Sequence, residues 1–266
     1  MKRELSIVSA LIFPLLFASC LTLKRNEETP KELMVHQRPN NSVIIDHQNY
    51  SLSYNNSYKV PNWVSWQLTI EEATSKKVKR HDKFIGDKKV KEEFRAENSD
   101  YSGEMNRKPI KLSRGHMAPF ADMRFDETAA EECFLLSNIC PQSAVLNAGD
   151  WNTLETVCRE KWAVEDSCIY IICGPIFRSK HPETIGKVHK VAIPDAFFKV
   201  VYSPKEGKEK AIGFIFENNN ERQPYEKAAC SVNKIERITG YDFFDWLPNK
   251  RERKVEKMND LSIWKR

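Results

Sequence analysis

The sequence predicts an α+β domain built around a mainly antiparallel sheet, and three features favour this class. Short runs of β-branched and aromatic residues, separated by Pro, Gly and Asn, lie on both sides of the middle of the chain. The runs after residue 167 follow one another without a long helix between them, as is typical of antiparallel sheets. The longest helical pattern covers residues 147–163, where Leu154, Val157 and Trp162 are compatible with one apolar stripe. With 266 residues, 41% of them hydrophobic, the chain can bury one large core.

The N-terminal segment is predicted to lie outside this domain. A basic start, an apolar run that ends at Phe17 and small residues before Cys20 form the pattern of a signal peptide over residues 1–19. A cysteine at this place resembles a bacterial lipoprotein signal, so Cys20 is the expected lipidation site and the membrane an expected partner. The chain is then an exported cell-envelope lipoprotein, with a periplasmic or secreted protein as the alternative. Residues 20–41 are polar and contain prolines, which predicts a tether before the domain over residues 42–266.

Alternating and aromatic residues predict strands in the N-terminal half of the domain. A dense run of charged residues between these strands is expected to be a solvated loop. Asp126 is a plausible helix N-cap and stands before an acidic first turn. In order, we predict strands over 50–54 and 58–68, a loop over 71–107, a strand over 109–119, a helix over 126–136 and a loop over 137–143.

The C-terminal half is richer in strands. Four β-rich runs separated by turn residues follow the long helix. Ser231 and Gly240 are typical of the start and the end of a short helix. Basic and acidic residues are interleaved over 250–257, as on a solvated helix. The four predicted strand runs cover residues 168–177, 187–193, 197–202 and 211–216.

Composition limits the classes of function without choosing one. Lys and Arg outnumber Asp and Glu by 42 to 37, a net charge of +5, so a nucleic-acid partner is permitted but not required. Six cysteines follow Cys20, and in an exported chain they can pair or remain buried thiols, so the pairing is left open. The absence of a Cys-x-x-Cys pattern argues against a structural zinc site. Five histidines also lack metal-ligand spacing: His36, His47, His81, His181 and His189.

The residues that are candidates for catalysis lie between Ser113 and Glu155. His116 stands at the end of a predicted strand, and its ordinary pKa of about 6.5 leaves much of it neutral at pH 7, so it can act as a general base. Arg114, two residues earlier, lies on the same face of the strand. Its guanidinium can bind two phosphate oxygens at once. The pair therefore predicts that Arg114 binds the phosphate of a phosphodiester and that His116 acts as general base on the same group.

Three linked blocks of sequence extend this prediction. They are Arg-Gly-His-Met-Ala-Pro at 114–119, Phe-Leu-Leu-Ser-Asn-Ile-x-Pro-Gln at 134–142 and Leu-Asn-x-Gly-x-Trp-x-x-Leu-Glu at 146–155. In this combination the chain resembles the DNA/RNA non-specific endonucleases of the ββα-metal group. The resemblance covers about residues 50–257 and implies a ββα-metal catalytic motif in the sheet-and-helix core. Ser113 departs from the Asp of most members, which bears on substrate preference more than on activity.

The resemblance also implies roles for the residues that meet the phosphate. His116 would be the general base, while Arg114 and Asn138 would orient and neutralise the phosphate. Members carry a further phosphate-binding arginine in the loop before the catalytic strand. Arg80 is the nearest match to that arginine in this chain.

The metal site is implied in the same way, with Asn147 as the protein ligand of one Mg²⁺, or alternatively Mn²⁺. Asn147, Trp151 and Glu155 have helical spacing on one face, but Glu155 then lies about 12 Å further along the axis. Both side chains cannot then bind one ion directly, so Glu155 is expected to act through metal-bound water. One neutral amide with several waters suits Mg²⁺. Without the flanking blocks, a capping Asn and a solvent-facing Glu would be the simpler interpretation.

The predicted function is a Mg²⁺-dependent endonuclease that hydrolyses DNA and RNA regardless of the sugar. No helix-turn-helix or zinc-finger pattern is present, so contacts to the phosphate backbone should dominate and sequence preference should be weak. One rival is a catalytically inactive, surface-anchored nucleic-acid-binding lipoprotein. The other is a purely structural envelope lipoprotein. The preference between DNA and RNA, the endo or exo mode and the oligomeric state are left open.

Overall fold

The structure is a computed structural model that describes residues 41–103, 106 and 108–265. The predicted signal peptide, the lipidation site Cys20 and the tether up to residue 40 lie outside the described residues. In the part of the chain that is described, no helix has the length and apolar character needed to cross a membrane.

The predicted strands are largely confirmed, with boundaries shifted by at most three residues in all but one run. The predictions over 50–54 and 58–68 correspond to Ser51–Asn55 and Val60–Thr69. The predicted run over 187–193 contains only the two-residue strand Val191–Ala192. The strands of the described residues are β1 (Ser42–Asp46), β2 (Ser51–Asn55), β3 (Val60–Thr69), β4 (Leu112–His116), β5 (Ile139–Ser143), β6 (Cys168–Ile176), β7 (Thr184–Ile185), β8 (Val191–Ala192), β9 (Ala196–Ser203), β10 (Lys210–Glu217) and β11 (Ala229–Cys230).

Seven of these strands form one sheet in the spatial order β1-β2-β3-β6-β9-β10-β11. Every neighbouring pair in it is antiparallel. The predicted α+β class with a mainly antiparallel central sheet is therefore confirmed. Two smaller antiparallel pairs, β4 with β5 and β7 with β8, lie outside the large sheet.

Both faces of the large sheet are covered, as the alternation along β9 shows. Phe197 faces the long helical segment over 144–166, where its ring lies 5.7 Å from that of Trp151. Phe198 faces the other side, where its ring lies 5.9 Å from that of Phe243. Successive side chains of a strand point to opposite faces, so the sheet separates two buried apolar clusters. The β4-β5 pair belongs to the first of these two sides.

The helices agree with the sequence patterns where a cap is present. Asp126 caps α4 through a hydrogen bond that its side chain accepts from the backbone N–H of Ala129, as predicted. Ser231 and Gly240 flank a helix as predicted, although the Ser231 side chain makes no capping bond among the described residues. The helices are α1 (Ile70–Thr74), α2 (Asn98–Tyr101), α3 (Phe120–Met123), α4 (Glu127–Glu132), the successive turns α5 (Ala144–Leu146), α6 (Asn152–Val157) and α7 (Ala163–Asp166) of the long segment, α8 (Tyr225–Ala228), α9 (Val232–Thr239) and α10 (Asn249–Glu256).

The predicted loop over 137–143 is wrong. Residues Ile139–Ser143 form β5, which pairs with β4 so that His116 lies opposite Ile139 and Arg114 opposite Pro141. Pro141 has no N–H to donate and normally disfavours a strand, but β5 pairs on one side only and tolerates it. The strand exists because a partner 23 or more residues earlier in the chain pairs with it, as the register His116 to Ile139 shows.

All six cysteines of the described domain are buried, and they form no disulfide bonds among the described residues. Cys168 and Cys173 both lie in β6 and are not bonded to each other. Burial raises the pKa of the Cys230 thiol to about 11 and that of Cys173 to about 12, so these thiols remain protonated near neutral pH. In this structure the cysteines are apolar packing residues.

Candidate active site

The β4-β5 pair brings Arg114 and His116 to one face, as their spacing predicts. Both residues contact the same ring: the Arg114 guanidinium carbon lies 5.3 Å from the centroid of Phe84, and the His116 ring lies 5.3 Å from it. Between them, Gly115 leaves room for Gln142 of β5. A Cβ at position 115 would come within 2.3 Å of the Gln142 Oε1 atom. Glycine is therefore required for the strand that presents the two functional side chains.

His116 is enclosed by aromatic rings. Besides Phe84 it contacts Phe134 edge to face, with ring centroids 5.1 Å apart. The side chain is 9% exposed, and its Nε2 atom is buried without a hydrogen-bond partner among the described residues. Burial first, and then the positive charge of Arg80, lower the pKa of His116 to about 3. The imidazole is therefore neutral at physiological pH, which is the state that a general base requires.

Arg80, predicted from the charged loop, lies at the same aromatic cluster. Its guanidinium carbon is 5.4 Å from the centroid of Phe134 and 5.7 Å from that of Phe120. The side chain is about half exposed, and its Nε donates to Asp82 at 2.7 Å. The structure therefore places two arginines around His116, Arg80 beyond Phe134 and Arg114 beyond Phe84.

Arg114 is half-buried and held in position. Its Nη2 donates to the side-chain oxygen of Asn98 at 2.7 Å, and its guanidinium also lies 5.5 Å from the ring centroid of Tyr101. The Nε atom is buried and has no hydrogen-bond partner among the described residues. The guanidinium therefore keeps unused N–H donors while its orientation is fixed.

Asn138 has a different place from the one predicted. The side chain is fully buried, its oxygen accepts from the Ala118 N–H at 2.9 Å, and its amide group donates to the carbonyls of Ala118 and Cys133, both at 2.9 Å. Both amide hydrogens are used, so the side chain has no free donor for a phosphate. These bonds join the turn after His116 to the end of α4. Direct phosphate binding by Asn138 does not fit this arrangement, whereas positioning of His116 does.

The long helical segment is not the regular helix that the sequence analysis assumes. Gly149 has non-helical torsions, φ −103° and ψ −111°, within a π-helical turn over Asn147–Trp151. Asp150 fixes this turn by accepting two hydrogen bonds from Arg222, both at 2.9 Å. The regular spacing from Asn147 to Glu155 therefore does not hold across the kink. Asn147 is half-buried, and its side chain has no hydrogen-bond partner among the described residues.

Glu155 is buried, so the solvent-facing interpretation is wrong. Its carboxylate lies 3.9 Å from the Nζ atom of Lys199, and its Oε1 has no hydrogen-bond partner in the described part of the chain. Burial raises the pKa of Glu155 to about 7, and the charge of Lys199 opposes this shift. Lys199 is itself fully buried, with Nζ 4.3 Å from the centroid of Trp151. A carboxylate with unused hydrogen-bond acceptor capacity and a pKa near neutrality can exchange protons or accept a hydrogen bond from a polarised water.

Sequence reasoning missed Lys199 and the ion pair beside it. Arg159 Nη1 donates to Asp122 at 3.1 Å, and Trp66 Nε1 donates to the other oxygen of Asp122 at 3.2 Å. The signal for Lys199 is present in the sequence, since a lysine interrupts the apolar run Phe-Phe-Lys-Val-Val over 197–201. A charged residue in the middle of a buried strand needs a charged partner, and Glu155 supplies it.

Comparison with known proteins agrees with the three blocks. The family model described as DNA/RNA non-specific endonuclease matches residues 30–250. The mitochondrial nuclease EXOG of Danio rerio is 32% identical over 222 residues, which cover 76% of this chain and 61% of that protein. The chain thus spans about three fifths of the length of this relative. Nuclease C1 of Cunninghamella echinulata var. echinulata is 32% identical over 217 residues, 77% of this chain and 83% of its own.

Two further comparisons concern endonuclease G. The human mitochondrial protein is 30% identical over 224 residues, covering 80% of this chain and 73% of its own length. A solved structure described as the EndoG/EndoGI complex, with the mechanism of EndoG inhibition, superposes with a TM-score of 0.68 at 28% identity. The superposition covers 78% of this chain and 87% of that chain. Both the sequence and the arrangement of strands and helices are therefore shared.

Proposed function

Because the chain belongs to the DNA/RNA non-specific endonuclease family, we propose that it is a metal-dependent endonuclease that hydrolyses phosphodiester bonds in both DNA and RNA. The observation that carries this proposal is the neutral, buried His116 with an arginine on either side. Arg114 and Arg80 contact rings that themselves contact His116. A base between two cations suits a reaction in which a proton leaves water while an anionic phosphate is held.

His116 is proposed to accept the proton of the attacking water. Its low pKa keeps the imidazole unprotonated near neutral pH, so a ring nitrogen has a lone pair that can accept a proton. The aromatic rings exclude bulk water from the imidazole and restrict its orientation, so little reorganisation is needed at the moment of attack. Asn138 holds the backbone of Ala118, two residues after His116, and so acts as a positioning residue.

Arg114 and Arg80 are proposed to hold the phosphate. Arg114 is the better fixed of the two, because Asn98 and the rings of Phe84 and Tyr101 leave its guanidinium one orientation. Arg80 is more exposed and pairs with Asp82, so a phosphate must displace that carboxylate. We therefore assign Arg114 to the scissile phosphate and Arg80 to phosphate binding at the entrance.

The residues present also fit a divalent metal ion. Asn147 offers a neutral amide oxygen that no other side chain of the described residues uses. Glu155 offers a buried carboxylate whose Oε1 lies 3.9 Å from Lys199 but accepts no hydrogen bond among these residues. One amide ligand and a carboxylate that receives hydrogen bonds from bound water suit Mg²⁺, with Mn²⁺ as the alternative. A bound ion of this kind supplies Lewis-acid stabilisation of the charge that develops on the phosphate. Lys199 keeps the Glu155 side chain in place for this purpose.

The substrate range follows from the same side chains. The proposed contacts are directed at phosphate oxygens, which DNA and RNA share, and phosphate contacts carry no sequence information. We therefore propose weak sequence preference and activity on both polymers. An exposed arginine such as Arg80 also makes binding dependent on salt concentration.

The test is incubation of supercoiled plasmid and of a long RNA with the purified protein, in Mg²⁺ and then in excess EDTA. We expect both polymers to be cleaved in Mg²⁺ and neither in EDTA. Asn147→Ala should lose at least about 100-fold in rate, because the amide ligand is lost. Asn152→Ala is the matched control, since Asn152 is an exposed asparagine on the same helical segment and should retain activity.

Two results would contradict the proposal. Binding of DNA without cleavage in any divalent metal would favour the inactive nucleic-acid-binding lipoprotein. Neither binding nor cleavage would favour a structural envelope protein. If Glu155→Ala abolished metal binding while Asn147→Ala was mild, the assignment of the ligand would be wrong.

We also propose that the protein is exported and anchored through a lipid on Cys20. The support is the pattern of residues 1–20, a basic start, an apolar run and small residues before a cysteine. Mass spectrometry of the mature N-terminus should find a lipid-modified Cys20. An unmodified terminus beyond Cys20 would leave simple secretion, and an intact Met1 would exclude export.

A further inference from the structure

Three carboxylates meet on the face of the large sheet that is opposite the candidate active site. They are Glu236 of α9, Asp242 of the following turn and Glu256 at the end of α10. One carboxylate oxygen of each lies within 4.8 Å of the others. The turn returns towards α9 because Gly240 ends that helix with a positive φ of 73°, and the N–H of Phe243 donates to Glu236 Oε1 at 3.1 Å.

A buried apolar residue next to each carboxylate fixes its position. Ile235 precedes Glu236, Phe243 follows Asp242 and Val255 precedes Glu256, and each of these three is fully buried. Ile235 reaches the sheet at Gly213 of β10, where a Cβ would lie only 2.5 Å from the Ile235 side chain. The three oxygens therefore belong to a built arrangement and not to mobile surface side chains.

In the described part of the chain, Arg237 acts on Glu236 only at longer range, and no cation pairs directly with this cluster. Among the described residues, no Lys or Arg nitrogen lies within ion-pair distance of Glu236, Asp242 or Glu256. Glu256 is only 5% exposed, and its Oε1 is buried without a hydrogen-bond partner in the described part of the chain. Burial of carboxylates without a counter-charge is unfavourable. Glu236 and Glu256 hydrogen-bond to each other, which requires a shared proton, and a cation bound at the cluster would replace that proton.

We propose that Glu236, Asp242 and Glu256 bind one divalent cation, Ca²⁺ by preference, at a site separate from the catalytic metal. The donors are all carboxylate oxygens, without His or Cys, which excludes a typical zinc or copper site. One oxygen of each carboxylate lies within 4.8 Å of the others, and Ca²⁺ takes oxygens at about 2.3–2.6 Å in flexible geometry, so small side-chain movements let all three join one coordination sphere. Mg²⁺ suits this set less well, because it keeps most of its waters and takes one or two carboxylates.

The bound cation joins α9, the turn and α10 into one unit on the outer side of the sheet. Asp242 is exposed and provides the route from solvent, whereas Glu256 is the buried ligand. The effect is on the stability of the C-terminal region. It is independent of nuclease activity, so its failure would leave the proposed function untouched.

The test is a Ca²⁺ titration of EDTA-treated protein in the Asn147→Ala background, which removes the proposed ligand of the catalytic ion. Calorimetry should give one site, and the melting temperature should rise by about 3–6 °C when Ca²⁺ is about tenfold above Kd. Glu256→Gln and Asp242→Asn should each abolish the rise. Glu206→Gln, the same change at an exposed glutamate outside the cluster, should leave it intact.

Asp242→Asn keeps the test valid if Glu256→Gln does not fold, because Asp242 is exposed and its replacement disturbs no packing. A melting temperature that does not respond to Ca²⁺ up to about 10 mM would overturn the proposal, since weak extracellular Ca²⁺ sites bind at about 0.1–1 mM. A rise of unchanged size in Asp242→Asn and Glu256→Gln would also overturn it, because the ion would then bind elsewhere.

Discussion

Two histidines of this protein are equally buried and chemically opposite. His47 is 8% exposed and His116 is 9% exposed. Both ring nitrogens of His47 meet carboxylates, Nε2 with Asp87 at 3.0 Å and Nδ1 with Glu132 at 3.2 Å. His116 meets aromatic rings, and its Nε2 has no partner among the described residues.

The difference in partners reverses the direction of the pKa shift. Burial by itself lowers the pKa of His47, but the hydrogen bonds and charges of Asp87 and Glu132 outweigh burial and raise it above its ordinary value. Burial and Arg80 act in the same direction on His116 and lower its pKa to about 3. The two pKa values therefore shift in opposite directions, towards the protonated form at His47 and towards the neutral form at His116. Burial alone does not distinguish the two histidines, whereas an unsatisfied ring nitrogen beside a cation makes His116 the candidate functional residue.

The first way to test this contrast is to compare turnover in the two alanine variants. His116→Ala should lower the single-turnover rate at saturating DNA by about 10²–10⁴-fold, the usual contribution of a general base, while DNA still binds in Mg²⁺. His47→Ala should retain a rate close to that of the unaltered protein, provided that it is measured where the variant is folded. Loss of DNA binding with an unchanged rate in His116→Ala would make His116 a binding residue and would break the comparison.

The second test concerns stability, where His47→Ala, the milder variant in turnover, should be the more strongly affected of the two. His47→Ala leaves Asp87 and Glu132 without the ring that hydrogen-bonds to both, so we expect a loss of about 2–4 kcal/mol in the free energy of unfolding. Urea denaturation at one pH measures this loss. Asp87 also accepts from Ser137 at 2.6 Å and from the Lys89 N–H at 2.9 Å, so the loss should be smaller than for removal of Asp87 itself. A change below about 0.5 kcal/mol would show that the His47 contacts are not stabilising.

The third test uses pH, because the two histidines should contribute with opposite signs. The raised pKa of His47 gives stability that is complete below about pH 6.5 and is lost as pH rises through the folded value. His116 stays neutral in the native protein because its pKa is low. Below about pH 6.5 the unfolded chain binds a proton at this histidine and the native protein does not, so the free energy of unfolding falls.

The cost of His47→Gln should therefore grow on acidification from pH 8 to 5.5, whereas the cost of His116→Gln should shrink. Each change should amount to about 1–2 kcal/mol over this range. Urea denaturation of both variants and of the unaltered protein at a series of pH values checks it. If the free energies of unfolding of the two variants changed with pH in parallel, the two histidines would share one protonation state.

The smallest expected effect concerns Arg80. Burial is the first cause of the low pKa of His116 and Arg80 only the second, so Arg80→Gln should raise that pKa by less than burial lowers it. The acid limb of kcat/KM should move slightly upward, while KM should rise because a phosphate-binding cation is lost. Arg80→Lys, which keeps the charge, should retain the pH profile. An acid limb that moves to about pH 6.5 in Arg80→Gln would show that charge, not burial, controls His116.

The sequence by itself determined those features that depend on neighbouring residues in the chain. Alternation predicts the strands of the large sheet, the N-cap at Asp126 predicts the start of α4, and the spacing of Arg114 and His116 places both on one face of β4. Each of these follows from a local period or a local hydrogen bond, which the order of residues specifies directly. The three sequence blocks are also specified directly by the order of residues, and they indicated the family.

The tertiary structure alone decided the features that depend on distant partners. His47 meets residues 40 and 85 positions away, Lys199 meets Glu155 across the sheet-helix interface, and Ile139–Ser143 becomes a strand only against β4. Asn138, predicted to hold phosphate, instead uses its whole amide on the backbone. Protonation states follow the same rule, since they depend on burial and on charges that folding brings within a few ångströms. Two histidines with the same chemical formula therefore acquire pKa shifts of opposite direction only when the chain folds.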